Sequence, residues 1–166
     1  MFRRIIAVMA VSVMLVGITG CRFLDDGNGQ VDLDFVVVDM QGEDVRLGDM
    51  IGEPIVLNFW TSWCAACRRA MPAFEGVYGE MGGEVRFMMV NMPDGWQETV
   101  EIATRYIEGN GYSFPVYFDV DGEARGAFGV RAVPTTVFID RNGEISDTVM
   151  GVMSEEDLRE QIGMIL

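Results

Sequence analysis

The stretch "PIVLNFWTSWCAACRRAMP", residues 54–72, decides how this chain reads. Pro54 to Trp60 is a near-continuous apolar run, the pattern of a strand buried on both faces. Cys64 and Cys67 follow at once and open a segment that reads as a helix to about Met81, bent by Pro72 and stopped by Gly82 and Gly83. Such a pair could be a metal clip, a structural staple or a working redox couple. Its position favours the last. A sulfur at the start of a helix lies near free backbone N–H groups and the positive end of the helix dipole, which favours the thiolate. In that setting a C-x-x-C thiol falls from ~8.5 to roughly 3.5–7.5 in pKa. Cys67 lies one turn further on, close enough to attack a mixed disulfide on Cys64 and release it. Trp63 supplies a flat apolar wall beside the pair.

The rest of the composition narrows the choice. The chain has 166 residues, three cysteines and no histidine. A zinc site needs about four Cys, His or acidic ligands, and only two thiols are at hand. Copper(I) held by methionine is a further option, since there are 13 Met. However, Met1, Met9 and Met14 lie in the N-terminal apolar block, and most others sit in apolar runs as core filler. A static disulfide closing so short a loop removes little chain entropy. All 12 basic residues are arginine, and the net charge of −14 argues against a nucleic-acid surface.

The N-terminus, "MFRRIIAVMAVSVMLVGITGC", has a positive start at Arg3 and Arg4. Its apolar block, residues 5–18, is short for a membrane span of roughly 20 residues. Ile18-Thr19-Gly20-Cys21 resembles a bacterial lipobox, in which cleavage precedes a cysteine that is then lipidated. An ordinary signal peptide or a signal anchor is the alternative. We expect residues 1–20 to be a lipoprotein signal, Cys21 the lipidation site and residues 21–32 a flexible tether. Without residues 1–20, which carry two arginines and no acid, the chain has 10 basic and 26 acidic residues, net −16. Export also implies a compartment in which disulfides persist.

Residues 33–166 read as one domain of alternating elements. "LDFVVVDMQGEDVRL" is a strand pair turning at Gln41-Gly42. "EVRFMMVNM" is a second buried strand. "WQETVEIATRYIEGN" has apolar residues at Val100, Ala103, Tyr106 and Ile107 with helical spacing, closed by Gly109. Trp60 reads as core, and Trp96 as either a helix start or an exposed contact. Arg68 and Arg69 read as a solvated helix face that adds positive charge near the thiols. "FPVYFD" is a strand and "GEARGAFGV" a short helix. "TTVFID" and "EISDTVMG" form a hairpin around Arg141-Asn142-Gly143, and "SEED" opens a last helix with a capping box. This order predicts an α/β fold with a mixed central sheet flanked by helices.

"RAVPTTVFID", with Pro134 before a strand, together with the C-x-x-C, resembles the thioredoxin superfamily. "VLNFWTSWCAACRRAMPAFE", "GVRAVPTTVFIDRNGEI" and "MGVMSEEDL" are more closely similar to the TlpA/ResA group of membrane-tethered thioredoxin-like proteins. The resemblance spans residues 33–166. It implies a thioredoxin-like fold with an extra N-terminal strand pair and a strand–helix insertion near residues 115–128. It makes Cys64 the attacking cysteine, Cys67 the resolving one and Pro134 a cis-proline, with Val133 offering backbone to an extended substrate. It implies an extracytoplasmic, lipid-anchored, monomeric oxidoreductase with no cofactor beyond the Cys64–Cys67 disulfide. A membrane thiol carrier of the CcdA/DsbD type would feed it electrons. Its clients would be protein disulfides, such as those of apocytochrome c or a methionine sulfoxide reductase. A disulfide-forming oxidase, or a non-catalytic copper- or substrate-binding lipoprotein, is the alternative. The chain departs from the group where a buried carboxylate serves the resolving cysteine. The Asp of thioredoxin itself matches Asn58 and the Glu of ResA-like proteins matches Ala70, neither ionisable, so Cys67 is expected to lack a dedicated proton acceptor and to rely on water or on the Cys64 thiolate; Glu75 lies further along the helix.

Overall fold

The computed structural model describes residues 33–166. The signal sequence, Cys21 and most of the tether lie outside them. The strands are β1 (Val36–Asp39), β2 (Asp44–Arg46), β3 (Ile55–Trp60), β4 (Arg86–Asn91), β5 (Val116–Phe118), β6 (Thr135–Ile139) and β7 (Ile145–Met150). The helices are α1 (Ala65–Met81), α2 (Val100–Asn110), α3 (Glu123–Ala127) and α4 (Glu155–Ile165). All seven strands join one sheet in the order β2-β1-β5-β4-β3-β6-β7. β3, β4 and β5 run parallel, and the flanking pairs are antiparallel.

Strand β3 is at the centre, and all six of its residues are buried. Its side chains alternate between two cores, as a strand's period of two requires. Val56 and Trp60 pack with α1, α2 and α4 on one face. Ile55, Leu57 and Phe59 pack with β1, α3 and Leu47 on the other. Asn58 is the one polar residue of β3. It stays buried because its Nδ2 donates to Thr136 Oγ1 at 2.9 Å and to the Thr135 carbonyl at 3.5 Å on β6. The strand pair, the β5–α3 unit, the hairpin and the Ser154–Asp157 capping box all form as expected.

One helix end differs from the sequence reading, and another forms for a different reason. Helix α2 runs past Gly109 and stops at Gly111, which takes the left-handed φ of 70° that glycine tolerates. Helix α1 does stop at Gly82, but that residue keeps a right-handed φ of −64°. A side chain there would meet the Tyr78 ring and carbonyl at 2.7 Å, so close packing rather than a reversed turn demands the glycine. Of the α2 residues expected inward, Ala103 and Ile107 are buried and Tyr106 packs against the core, but Val100 at the first turn is exposed. Trp60 is buried; Trp96 lies in the loop before α2 and is 88% exposed.

Candidate active site

Strand β3 ends at Trp60, and three residues later the chain turns into α1 with Cys64 as its N-cap. The cap is made by sulfur. Cys64 has extended backbone angles, and its Sγ accepts from the Cys67 N–H at 3.1 Å, a role a serine or threonine oxygen usually fills. Cys64 and Cys67 are joined as a disulfide with Cα atoms 5.2 Å apart, within the ordinary range. The two sulfurs are not equally accessible. Cys64 is 7% exposed and Cys67 1%, so an incoming sulfur can reach only the first.

The second wall comes from the loop before β6. The Val133–Pro134 peptide is cis. The Val133 carbonyl oxygen lies 3.5 Å from Cys64 Sγ, and Pro134 is buried behind it. Pairing of β6 with β3 brings this loop to the cysteines, because Thr135 is opposite Phe59. Trp63 is half exposed and lines a cavity of about 330 Å³ with Cys64, Met92, Val133 and two arginines, Arg125 and Arg131. The structure thus brings together Trp63, Cys64, Cys67, Val133 and Pro134. Cys21 lies outside the described residues. No group of three or more His, Cys, Asp or Glu side chains is arranged to hold a metal among the described residues.

A third layer was not legible in the sequence. Glu98, just before α2, is fully buried. Its carboxyl oxygens accept from the Ser62 N–H at 2.8 Å, the Ser62 hydroxyl at 2.6 Å and Asn91 Nδ2 at 2.5 Å. Ser62 lies two residues before Cys64, so Glu98 ties the loop carrying the cysteine to the end of β4. Glu98 is itself fixed by Asp94, whose Oδ1 accepts from the N–H groups of Trp96, Gln97 and Glu98 at 2.7–2.9 Å. Those donors, that of Glu98 foremost, hold the Asp94 carboxyl below its ordinary pKa. The only outward sign of this arrangement is an acid one residue before the Thr99 N-cap, which does not foretell burial.

The positions expected to lack a carboxylate are both in the core: Asn58 bonds β6, and Ala70 is buried on α1. Glu75 faces elsewhere, accepting from the Ser113 N–H and hydroxyl at 2.9 and 2.6 Å. On the same side of α1, Tyr112 packs on Tyr106 and Phe114. Burial, then the neighbouring Tyr106, pushes the Tyr112 hydroxyl up to about 12.

Comparison with known proteins agrees with this geometry. The model of the AhpC/TSA family matches residues 29–148. The chain is 34% identical over 140 residues to the thiol-disulfide oxidoreductase ResA of Geobacillus kaustophilus, covering 82% of this chain and 77% of that one. The crystal structure of StoA from Bacillus subtilis superposes with a TM-score of 0.68 at 30% identity, over 76% of this chain and 94% of that one. That of the pneumococcal exposed lipoprotein thioredoxin from Streptococcus pneumoniae does so with 0.69 at 29%, over 79% and 98%. With a disulfide whose Cys64 caps a helix beside a proline loop, and relatives of this kind over most of its length, the chain belongs to the AhpC/TSA family of the thioredoxin superfamily as a ResA-like thiol-disulfide oxidoreductase.

Proposed function

We propose that this oxidoreductase works outside the cytoplasm on a lipid anchor and moves two electrons through Cys64 and Cys67. The observation that carries the reading is the Cys64 sulfur at the N-cap of α1, the more exposed of the pair and 3.5 Å from the Val133 carbonyl. In the reduced state the Cys64 thiolate would be favoured by the Cys67 N–H and the helix terminus. It attacks one sulfur of a client disulfide, forming a mixed disulfide and expelling a client thiolate, which takes up a proton. The Cys67 thiol then loses its proton and attacks the Cys64 sulfur. The Cys64–Cys67 bond forms, the second client thiolate leaves and is protonated, and two electrons have passed to the client. With Asn58 and Ala70 in the core, water is the acceptor we assign for the Cys67 proton.

We favour the reducing direction, with a membrane thiol carrier of the CcdA/DsbD type as donor and protein disulfides, such as those of apocytochrome c or a methionine sulfoxide reductase, as clients. The midpoint potential tests it. A value well below the ~−180 mV of isomerases supports a reductant, and one near ~−120 mV overturns that direction in favour of an oxidase. Failure to reduce insulin after full reduction with dithiothreitol would instead support a binding role. The anchor rests on Ile18-Thr19-Gly20-Cys21, and the name of the pneumococcal relative is in keeping with it. Cys21→Ala should release the protein from membranes or block processing. An unchanged mass and membrane fraction would refute lipidation.

A further inference from the structure

The arginines of this acidic protein divide into two groups. Among the described residues, Arg46, Arg86, Arg105 and Arg159 each pair with a carboxylate, and Arg141 bonds the main-chain oxygen of Leu166. The other four guanidinium groups, those of Arg68, Arg69, Arg125 and Arg131, have no hydrogen bond or ion pair within the described residues. All four are exposed. Two of them share a cavity with Cys64, and the other two directly follow Cys67 on α1. Arg125 and Arg131 line the cavity of about 330 Å³ that contains Cys64 and Trp63. Arg68 and Arg69 line one of about 510 Å³ on the other face of the sheet, with Ala65, Tyr106 and Tyr112. Neither cavity is lined by an aspartate or glutamate.

We propose that these four arginines form an electropositive collar that docks client segments whose reactive cysteine is flanked by aspartate or glutamate. The proposal rests on the redox role given above to Cys64. The net charge of −14 would by itself repel such a client. Distance decides between the two effects. At physiological salt the screening length is about 8 Å, so a peptide seated at Cys64 feels the collar and little of the acids on remote faces. Arginine suits the task, because its planar fork can take a carboxylate through two parallel hydrogen bonds. In this chain carboxylates hold four of the five arginines that lie away from the thiols and a main-chain oxygen holds the fifth, whereas the four near the thiols are left open for a carboxylate from outside.

The test uses the reduced full-length protein and three oxidants. Two are peptides of equal length, each closed by one disulfide, with acidic flanks in one and basic flanks in the other. The third is hydroxyethyl disulfide, a small neutral probe that normalises for the reactivity of Cys64 itself. At low salt the acidic peptide should react about tenfold faster than the basic one, and the gap should shrink to about twofold at 0.5 M salt. In Arg125→Gln/Arg131→Gln, and separately in Arg68→Gln/Arg69→Gln, the ratio of the acidic-peptide rate to the hydroxyethyl disulfide rate should fall at least threefold. An unchanged ratio in both variants, or a wild type that prefers the basic peptide, overturns the collar and leaves the oxidoreductase reading intact. No reaction with hydroxyethyl disulfide would overturn that underlying reading, and the collar with it.

Discussion

The two ends of strand β3 handle polar groups in opposite ways. At its N-terminal end, Glu53 and Arg86 lie on the surface and pair at 2.8 Å. They line an open cavity of about 460 Å³ with Tyr78, Gly82 and Arg141. Both side chains are exposed, so solvent competes for both partners. At the C-terminal end, Glu98 is buried and accepts three hydrogen bonds, none of them from an arginine. The arginines nearby stay open to solvent. One end is therefore closed by an exposed pair that water could replace. The other is organised by a buried carboxyl that water cannot replace, and this is the end that carries the cysteines.

The sharpest way to break that comparison is at the sulfurs. Cys64→Ser should abolish exchange, with a loss of several orders of magnitude in rate, whereas Cys67→Ser should accumulate mixed disulfides through Cys64 that are visible on non-reducing gels. Faster alkylation of Cys67 than of Cys64 in the reduced protein at mildly acidic pH would reverse the two roles. The next effect concerns stability. Glu98→Ala removes the acceptor of the part-buried Ser62 N–H and hydroxyl and leaves the buried Asn91 amide only the Trp60 carbonyl at 3.4 Å, at a total cost of about 1–3 kcal/mol. Glu53→Ala removes only an exposed pair, and should cost less than about 1 kcal/mol. Urea unfolding of the oxidised protein measures both; equal costs would mean that the two ends are not different in kind.

A smaller effect is expected at Pro134. Threonine there adds an N–H donor beside the disulfide, which can hold a bound sulfur and slow client release several-fold. Stopped-flow exchange with a peptide disulfide would read this, and unaltered kinetics would remove Pro134 from the site. The smallest change is one of pH profile. Resolution by Cys67 should accelerate as pH rises, because only its thiolate attacks, with no separate inflection in the carboxylate range. Ala70→Glu should add one by placing a coupled titrating group beside the thiols. An inflection already present in the wild type and lost in Glu98→Gln would identify Glu98 as an acceptor that the sequence concealed.

What could be read from the sequence follows how local each determinant is. The β3 run, the Cys64–Cys67 spacing, the Arg141-Asn142-Gly143 turn and the Ser154–Asp157 box each act within a few residues, so their patterns state their structures. Helix ends were less legible. Gly82 and Gly111 both end helices, one because of a ring packed above it and the other because of its backbone angle, and the letter is the same. Contacts between distant segments were not legible at all. Glu98 reaches Ser62 across 36 positions, and Arg125 on α3 and Arg131 in the loop before β6 join the cavity at Cys64 from distant parts of the chain.

Trp63 gives the molecule a built-in optical gauge. A disulfide quenches an excited indole at contact distance by accepting an electron, and a dithiol does so far less. Trp63 adjoins Cys64 in sequence and shares its cavity, whereas Trp96 stands in solvent at 88% exposure. Emission should therefore rise when the pair is reduced, and the share of that rise lost in Trp63→Phe separates its part from that of Trp60, which packs in the same core as Cys64 and Cys67. The redox state of this protein can then be followed in real time without a label, while Trp96 supplies a steady background.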